Sequence, residues 1–232
     1  MSKEFSQINI IEELKNYFFY LQELGINYIP ATEELKRFLK LEISKEEGIE
    51  SLKEKVLKCE KCPLSRIRKQ PVWGEGSLTS GLLLITEYPD KDEDFYGRPF
   101  TGSVEDFLKR MLFAIKLRKE DFFITPSVKC KTPGGRPPED EEISACRPYL
   151  FKQIKYLKPK LILAMGFTPV KSLLETKEPF SNIRGKVFKV KDIPVVFTYH
   201  PNYILKNPAV KRMVWEDLQV FRKLYEEIFK NT

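Results

Sequence analysis

Apolar residues fall into two textures along the chain. Up to about residue 58 they recur at helical spacing, over 8–24, 32–42 and 45–58, with Gly25 and Pro30 as punctuation. These stretches predict a helical N-terminal extension at 1–55, read as a packing or solubility element. Beyond Cys59 the pattern changes to short, nearly unbroken apolar runs at 82–88, 122–129, 161–166 and 193–200. Runs so short and so apolar suit strands covered on both faces. Helical patterns lie between them at 103–117, 139–157 and 168–175, and a last one follows at 208–230. This alternation predicts an α/β class domain over 56–232, a three-layer α/β/α arrangement with a central four-stranded parallel sheet. Ligands of such sheets bind beyond the carboxyl ends of the strands. That rule directs attention to 87–94, 126–130 and 200–205.

Composition narrows the class. A chain of 232 residues with 42% hydrophobic content can bury one full core. No apolar run reaches the length of a bilayer span, and the opening residues carry neither a signal-peptide nor a transit-peptide pattern. A cytoplasmic monomer is the expectation. The net charge of +7 fits an anionic partner such as nucleic acid, although many proteins carry such charge as a solvated surface. Abundant Lys and Glu fit a thermophilic source and say nothing of mechanism.

The four cysteines carry the first chemistry. Cys59 and Cys62 form a C-x-x-C pair followed by Pro63, while Cys130 and Cys146 are separated by fifteen residues. Structural disulfides are rare in the cytoplasm, and four unrelated buried thiols would not require the close pair. Zinc usually takes two close pairs, whereas a [4Fe–4S] cluster gathers four thiolates from distant segments. On spacing alone both metals stay open.

The surrounding residues are more specific. Cys59-x-x-Cys62-Pro63-Leu64, then Arg66, Arg68 and Val72-Trp73-Gly74-Glu75-Gly76, resemble the opening of the iron–sulfur (fourth) family of uracil-DNA glycosylases. Val128-Lys129-Cys130 with Pro133, Arg136, Pro138, Glu142 and Cys146 is similar to that family's second cysteine segment. Gly97-Arg98-Pro99-Phe100-x-Gly102 resembles its base-stacking loop, and Tyr199-His200-Pro201-Asn202 with Leu205 its last catalytic motif. The resemblance covers about residues 56–229, with four motifs in order.

The resemblance implies a DNA glycosylase that hydrolyses the N-glycosidic bond of uracil or another deaminated or damaged base, acting in base excision repair with DNA as partner. Cys59, Cys62, Cys130 and Cys146 inherit the ligation of a [4Fe–4S] cluster, in a structural role. Such chemistry needs an extruded base, a donor where charge develops on the departing base, and a positioned water. His200 inherits the donor's place, and Glu87 and Glu93 those of carboxylates that orient the water and offset charge on the sugar. Phe100 stacks on the base, and Tyr88, Asp90, Pro126 and Asn202 fall around it. The stretch Tyr203 to Leu205 becomes a wedge, and Lys206, Lys211 and Arg212 lie within reach of phosphates.

Each of these residues also has a plain reading. His200 as a lone histidine, Phe100 as core and the run 87–94 as a solvated loop all remain available. Three departures bear on the substrate. The family's Gly-Glu-Ala-Pro-Gly stands here as Thr86-Glu87-Tyr88-Pro89-Asp90, so both glycines are gone. Its uracil-reading asparagine falls on Pro126, which offers no side-chain hydrogen bond and no N–H. Val104 and Glu105 replace its usual small pair. The scaffold matches while the base pocket differs, so a glycosylase for another base, or a catalytically silent DNA-binding protein, stand as alternatives.

Overall fold

The computed structural model describes residues 48–229 apart from 175 and 177, together with Tyr17 and Tyr20. The chain divides into two compact units, Met1–Glu46 and Glu47–Thr232. Apart from Tyr17 and Tyr20, the helices expected at 8–24 and 32–42 lie outside the described residues.

The second unit opens with α1 (Ile49–Leu57), which buries Leu52 and Val56 in the core. The boundary expected between 55 and 56 therefore falls inside a helix. Its two apolar residues at i and i+4 share one face, and that face belongs to the main domain.

The four expected strands form, as β2 (Leu82–Thr86), β3 (Phe123–Pro126), β4 (Leu161–Met165) and β6 (Ile193–Thr198). They pair in parallel in the order β3-β2-β4-β6. The sheet has six strands rather than four, because an antiparallel strand closes each edge: β1 (Glu75–Gly76) beside β3 and β5 (Val187–Val190) beside β6. The class stands and the strand number is corrected. Two residues give β1 no periodicity to read. Strand β5 is largely exposed, and its hairpin turns on Lys191 and Asp192, both left-handed, without the glycine or asparagine that usually marks such a turn.

Alternate residues of each central strand feed two separate cores. Leu83, Ile85, Ile162, Ala164, Val195 and Phe197 face α1 and α4 (Asp140–Leu157). Leu82, Leu84, Leu161, Leu163, Met165 and Val196 face α3 (Gly102–Ala114) and α8 (Lys211–Phe229). Both faces are covered, which is why the strands read as unbroken apolar runs.

Strand β2 is followed in space by β3 on one side and β4 on the other. The chain thus reverses direction across the sheet between β2 and β4, and crevices at such reversals hold the ligands of open α/β sheets.

Candidate active site

Glu87 follows β2 at this reversal. Its Oε1 accepts the backbone N–H of Phe167 at 2.8 Å and that of Thr168 at 3.4 Å, at the start of α5 (Phe167–Leu173). A carboxylate placed there meets unpaired N–H groups and the positive end of the helix. Gly166, at φ 110°, makes the approach possible, since a Cβ at that position would overlap the Glu87 side chain. Burial raises the Glu87 carboxyl above the usual range, against the lowering effect of the N–H bonds from Phe167 and Thr168.

The acidic run after Glu87 is a helix, not a solvated loop. Asp90 caps α2 (Lys91–Tyr96): its Oδ1 accepts the N–H groups of Asp92 and Glu93, each at 2.9 Å. Glu93 completes the capping box by taking the N–H of Asp90 on Oε2 at 2.8 Å. Its Oε1 takes the N–H of Phe100 at 2.5 Å. Both Glu93 oxygens therefore serve the backbone, and burial pushes this carboxyl up to about 7. Asp90, expected to line the base pocket, is exposed and committed through Oδ1 to the helix end.

Phe100 sits at φ 57°, and its ring stacks on that of His200 with centroids 5.4 Å apart and planes 14° off parallel. The ring is buried, 3% exposed, and in direct contact with the imidazole. A base stacking on Phe100 must use the other face or displace His200. Glu105 bonds Arg98 at 2.8 Å, so the residue that replaces a small one holds the same loop from outside.

His200 caps the short helix α7 (Pro201–Lys206), its Nδ1 accepting the N–H of Asn202 at 3.3 Å. That bond fixes the tautomer: the proton of the neutral ring is on Nε2, which is left to donate. Burial lowers the imidazole to about 4, so the ring is neutral at physiological pH.

Pro126 ends β3 beside Thr86, and its carbonyl accepts from Lys129 Nζ. The same ammonium, fully buried, donates to Thr125 Oγ1 at 2.7 Å and Gln153 Oε1 at 2.6 Å. The position expected to read the base edge thus has no side-chain donor, and its carbonyl is shared with Lys129. Ser127 turns its hydroxyl onto the Glu87 carbonyl at 2.7 Å. Tyr88 donates to the Gly135 carbonyl at 3.3 Å, binding the loop after β2 to the segment between Cys130 and Cys146.

On α7, Tyr203 and Leu205 are 37% and 38% exposed, with Lys206 exposed beside them. Ile204 is corrected out of the wedge: it is 1% exposed and packs into the core with Leu218 and Phe221. Helical geometry turns its neighbours outward as it turns in. Arg212 lies on the exposed first turn of α8, beside Glu216 at 3.4 Å. Thr198, at the end of β6, donates to the buried Asp217 at 2.8 Å, and Asp217 pairs with Arg184.

The four cysteines are all free thiols, and they line one cavity together with Arg68, Lys129 and Tyr149. Arg68 donates to Cys130 Sγ at 3.1 Å and to the Cys59 carbonyl at 2.6 Å, while the Lys129 N–H meets Cys146 Sγ at 3.3 Å. Arg136 grips Glu142 through two bonds of 2.9 and 2.7 Å, securing the turn between Cys130 and Cys146. Among the described residues, no three His, Cys, Asp or Glu side chains converge closely enough to ligate a single ion. Burial holds the Cys130 thiol up at about 12 and raises Cys146 as well, so neither is a reactive thiolate unaided.

The sequence profile of the "Uracil DNA glycosylase superfamily" matches residues 73–219, a span running from the loop before β1 into α8. The chain belongs to the uracil-DNA glycosylase superfamily. It is 37% identical to the type-4 uracil-DNA glycosylase of Pyrobaculum aerophilum over 181 residues, covering 75% of this chain and 92% of that protein. The type-4 enzyme of Sulfurisphaera tokodaii is 38% identical over 187 residues (77% and 85%), and that of Thermotoga maritima 35% over 180 (76% and 94%).

Two residues of this superfamily member escaped sequence reasoning. Gly166 could have been found, as a glycine directly after a strand and ahead of a helix. Phe167 has no such signal. Its place beside Glu87 depends on β2 and β4 being neighbours, which only the sheet order reveals.

Proposed function

We propose that this chain is a DNA glycosylase that hydrolyses the N-glycosidic bond of uracil or another deaminated or damaged base in DNA. The observation that carries the reading is the state of His200: a neutral ring whose Nδ1 is occupied by the Asn202 N–H, leaving Nε2–H as a fixed donor. Charge develops on the base oxygens as the bond breaks, and a preorganised donor lowers that barrier without reorganising. The backbone N–H groups of Phe167 and Thr168 hold Glu87 through Oε1, and the carboxylate so placed orients the attacking water and faces the charge growing on the sugar. Phe100 supplies the stacking surface. Glu93 acts as a positioning residue, because both its oxygens are committed to the loop that carries Phe100. Helix α7, bearing Tyr203 and Leu205, fills the gap left by the extruded base, and Lys206 and Arg212 approach phosphates.

Cys59, Cys62, Cys130 and Cys146 fit a [4Fe–4S] cluster as a donor set, being four thiols around one cavity with N–H groups directed at two of the sulfurs. When bound, the cluster supplies the positive charge that ionises these thiols and a crosslink between three distant segments. The residues themselves hold the loop 127–136 in place behind Glu87.

One observation favours a base other than uracil. Pro126 has no side chain to donate to O4 of uracil and its carbonyl already accepts from Lys129, so that position cannot make the two-point contact to the O4 and N3–H edge that an asparagine would.

The test is base release from oligonucleotides carrying uracil, hypoxanthine, xanthine or alkylated bases. Wild type is expected to release at least one of them, and His200→Ala to slow that release by roughly 10²–10³-fold with iron content unchanged. Activity should fall on the acid side as Glu87, with its raised pKa, takes up a proton, and show no step at the usual histidine value. DNA binding with no release from any substrate would leave a silent binder.

A further inference from the structure

Four aromatic rings gather beside Glu87 from three separate segments. Phe167 opens α5, and Phe180 opens the short helix α6 (Phe180–Ile183). Tyr199 follows β6, and Tyr203 lies on α7. Phe167 meets Phe180 at 4.6 Å between centroids and Tyr203 at 5.8 Å, edge-on to the latter. Tyr199 and Tyr203 stack at 5.0 Å, 10° from parallel, and Phe180 lies 5.0 Å from Tyr199. Such a cluster would normally close a core. Here Phe167 is 43% exposed and Tyr203 37%, so the outer rings face solvent. A cavity of about 610 Å³, lined by Phe167, Phe180, Val170 and Leu174 among others, opens alongside.

The location of these rings is as informative as their exposure. The Phe167 N–H is bonded to the Glu87 carboxylate at 2.8 Å, while Tyr203 lies on α7, the helix that His200 caps. The platform is therefore continuous with the reaction site and with the wedge. An extruded base leaves neighbours whose apolar faces have lost a stacking partner, and aromatic side chains accept any such base through its π face.

We propose that Phe167, Phe180 and Tyr203 form a second base subsite, which stacks an unpaired base adjacent in the strand to the extruded one. The proposal rests on DNA being the substrate. It makes unpaired or single-stranded DNA a favoured ligand, because in an intact duplex that neighbour stays stacked on its own strand.

The test is a cycle between the Phe167 ring and the neighbouring base, read by fluorescence anisotropy on the full chain. Single-stranded oligonucleotides carry a tetrahydrofuran abasic analogue at the target position, so no excision intervenes. Each flanking position holds either a normal base or a second abasic analogue. Phe167→Ala should weaken binding to the fully based oligonucleotide by about 5- to 100-fold, and hardly affect the one lacking the relevant neighbour. Phe167→Trp should restore the difference. If Phe167→Ala loses iron or folded signal, Phe167→Leu keeps apolar bulk without a π face and should show the same selective loss. Equal losses on both oligonucleotides, or none, would overturn the subsite. Base release with no coupling would leave the glycosylase reading intact and remove the subsite. Coupling with no base release would do the reverse.

Discussion

Glu93 holds the backbone N–H of Phe100 at 2.5 Å, and this bond connects a helix cap to the placement of an aromatic ring. The other Glu93 oxygen takes the Asp90 N–H, so one buried carboxylate fixes both the entry to α2 and the loop that leaves it. Phe100 is left-handed at φ 57°, a backbone state that a side chain other than glycine adopts only when neighbours hold it. The stacking of Phe100 on His200 thus depends on a residue whose two oxygens are both committed to the backbone.

Replacing Glu93 with Ala leaves the Phe100 N–H without a partner in a buried place, at a cost of about 1–3 kcal/mol. The pH dependence has a definite sign. Burial pushes Glu93 up to about 7 from an ordinary value of 4.5, so the folded chain keeps a proton that the unfolded chain has released across that window. Its stability contribution is complete below the lower value and is lost as pH rises through the upper. Denaturant midpoints of wild type measured against Glu93→Gln should therefore decline between pH 5 and 8. A rising difference would contradict the burial of this group.

For the cysteines, the expected outcome is a brown protein with close to four irons per chain and a broad visible absorbance that dithionite alters. Stoichiometric zinc without iron after anaerobic purification would refute the cluster. Cys59→Ser should lower the denaturation midpoint before it affects the chemistry of whatever folded protein remains, since metal binding and folding are coupled. Arg68→Met removes a donor to the Cys130 sulfur at 3.1 Å and should speed iron loss in air.

How far the sequence revealed this arrangement depended on burial. Leu82–Thr86 and Leu161–Met165 are buried at every position, so they stood out as apolar runs, and the ends of three parallel strands pointed at Glu87, Pro126 and His200. Edge strands β1 and β5 had no such contrast. The run at 90–94 carried the Asp-x-x-Glu spacing of a capping box, yet its charge suggested a solvated loop, and burial of Glu93 could not be seen in one dimension. Ile204 and Leu205 are neighbours of similar chemistry, one buried and one exposed; only the packing of α7 separates them. The pairing of Glu87 with the start of α5 required the strand order.

That separation within α7 makes a prediction about DNA. Leu205 is exposed next to Tyr203 while Ile204 anchors the helix, so Leu205→Ala should weaken binding to a lesion duplex more than to a single strand, where no gap needs filling. Ile204→Ala should instead lower stability, by about 2–5 kcal/mol for a buried side chain of this size, and affect both DNA forms alike. Binding in each case should weaken steeply with salt. Equal losses on duplex and single strand for Leu205→Ala would remove it from the wedge.

The base that fits this site turns on Pro126 and Lys129. The proline removes a side chain able to pair with the uracil edge, and Lys129 occupies one lone pair of its carbonyl. Uracil bound there would leave polar groups unpaired in a dry pocket, at about 1–3 kcal/mol each. Uracil excision by wild type should therefore be slow beside that of the type-4 relatives, or another base should be preferred. Pro126→Asn restores an amide that can donate to a carbonyl and accept from an N–H. It also restores a backbone N–H at the end of β3, beside Thr86, where the parallel ladder has none from proline. The substitution should raise uracil release relative to hypoxanthine and xanthine, with iron content unchanged as evidence that the loop to Cys130 survives. Asp90→Gly is the companion control. Because Oδ1 of Asp90 caps α2 and glycine is itself tolerated at a helix N-cap, its loss should lower stability by only about a few tenths of a kcal/mol without improving uracil release. Rapid uracil release by wild type that Pro126→Asn does not increase would show that the edge of the base is read from another element of the site.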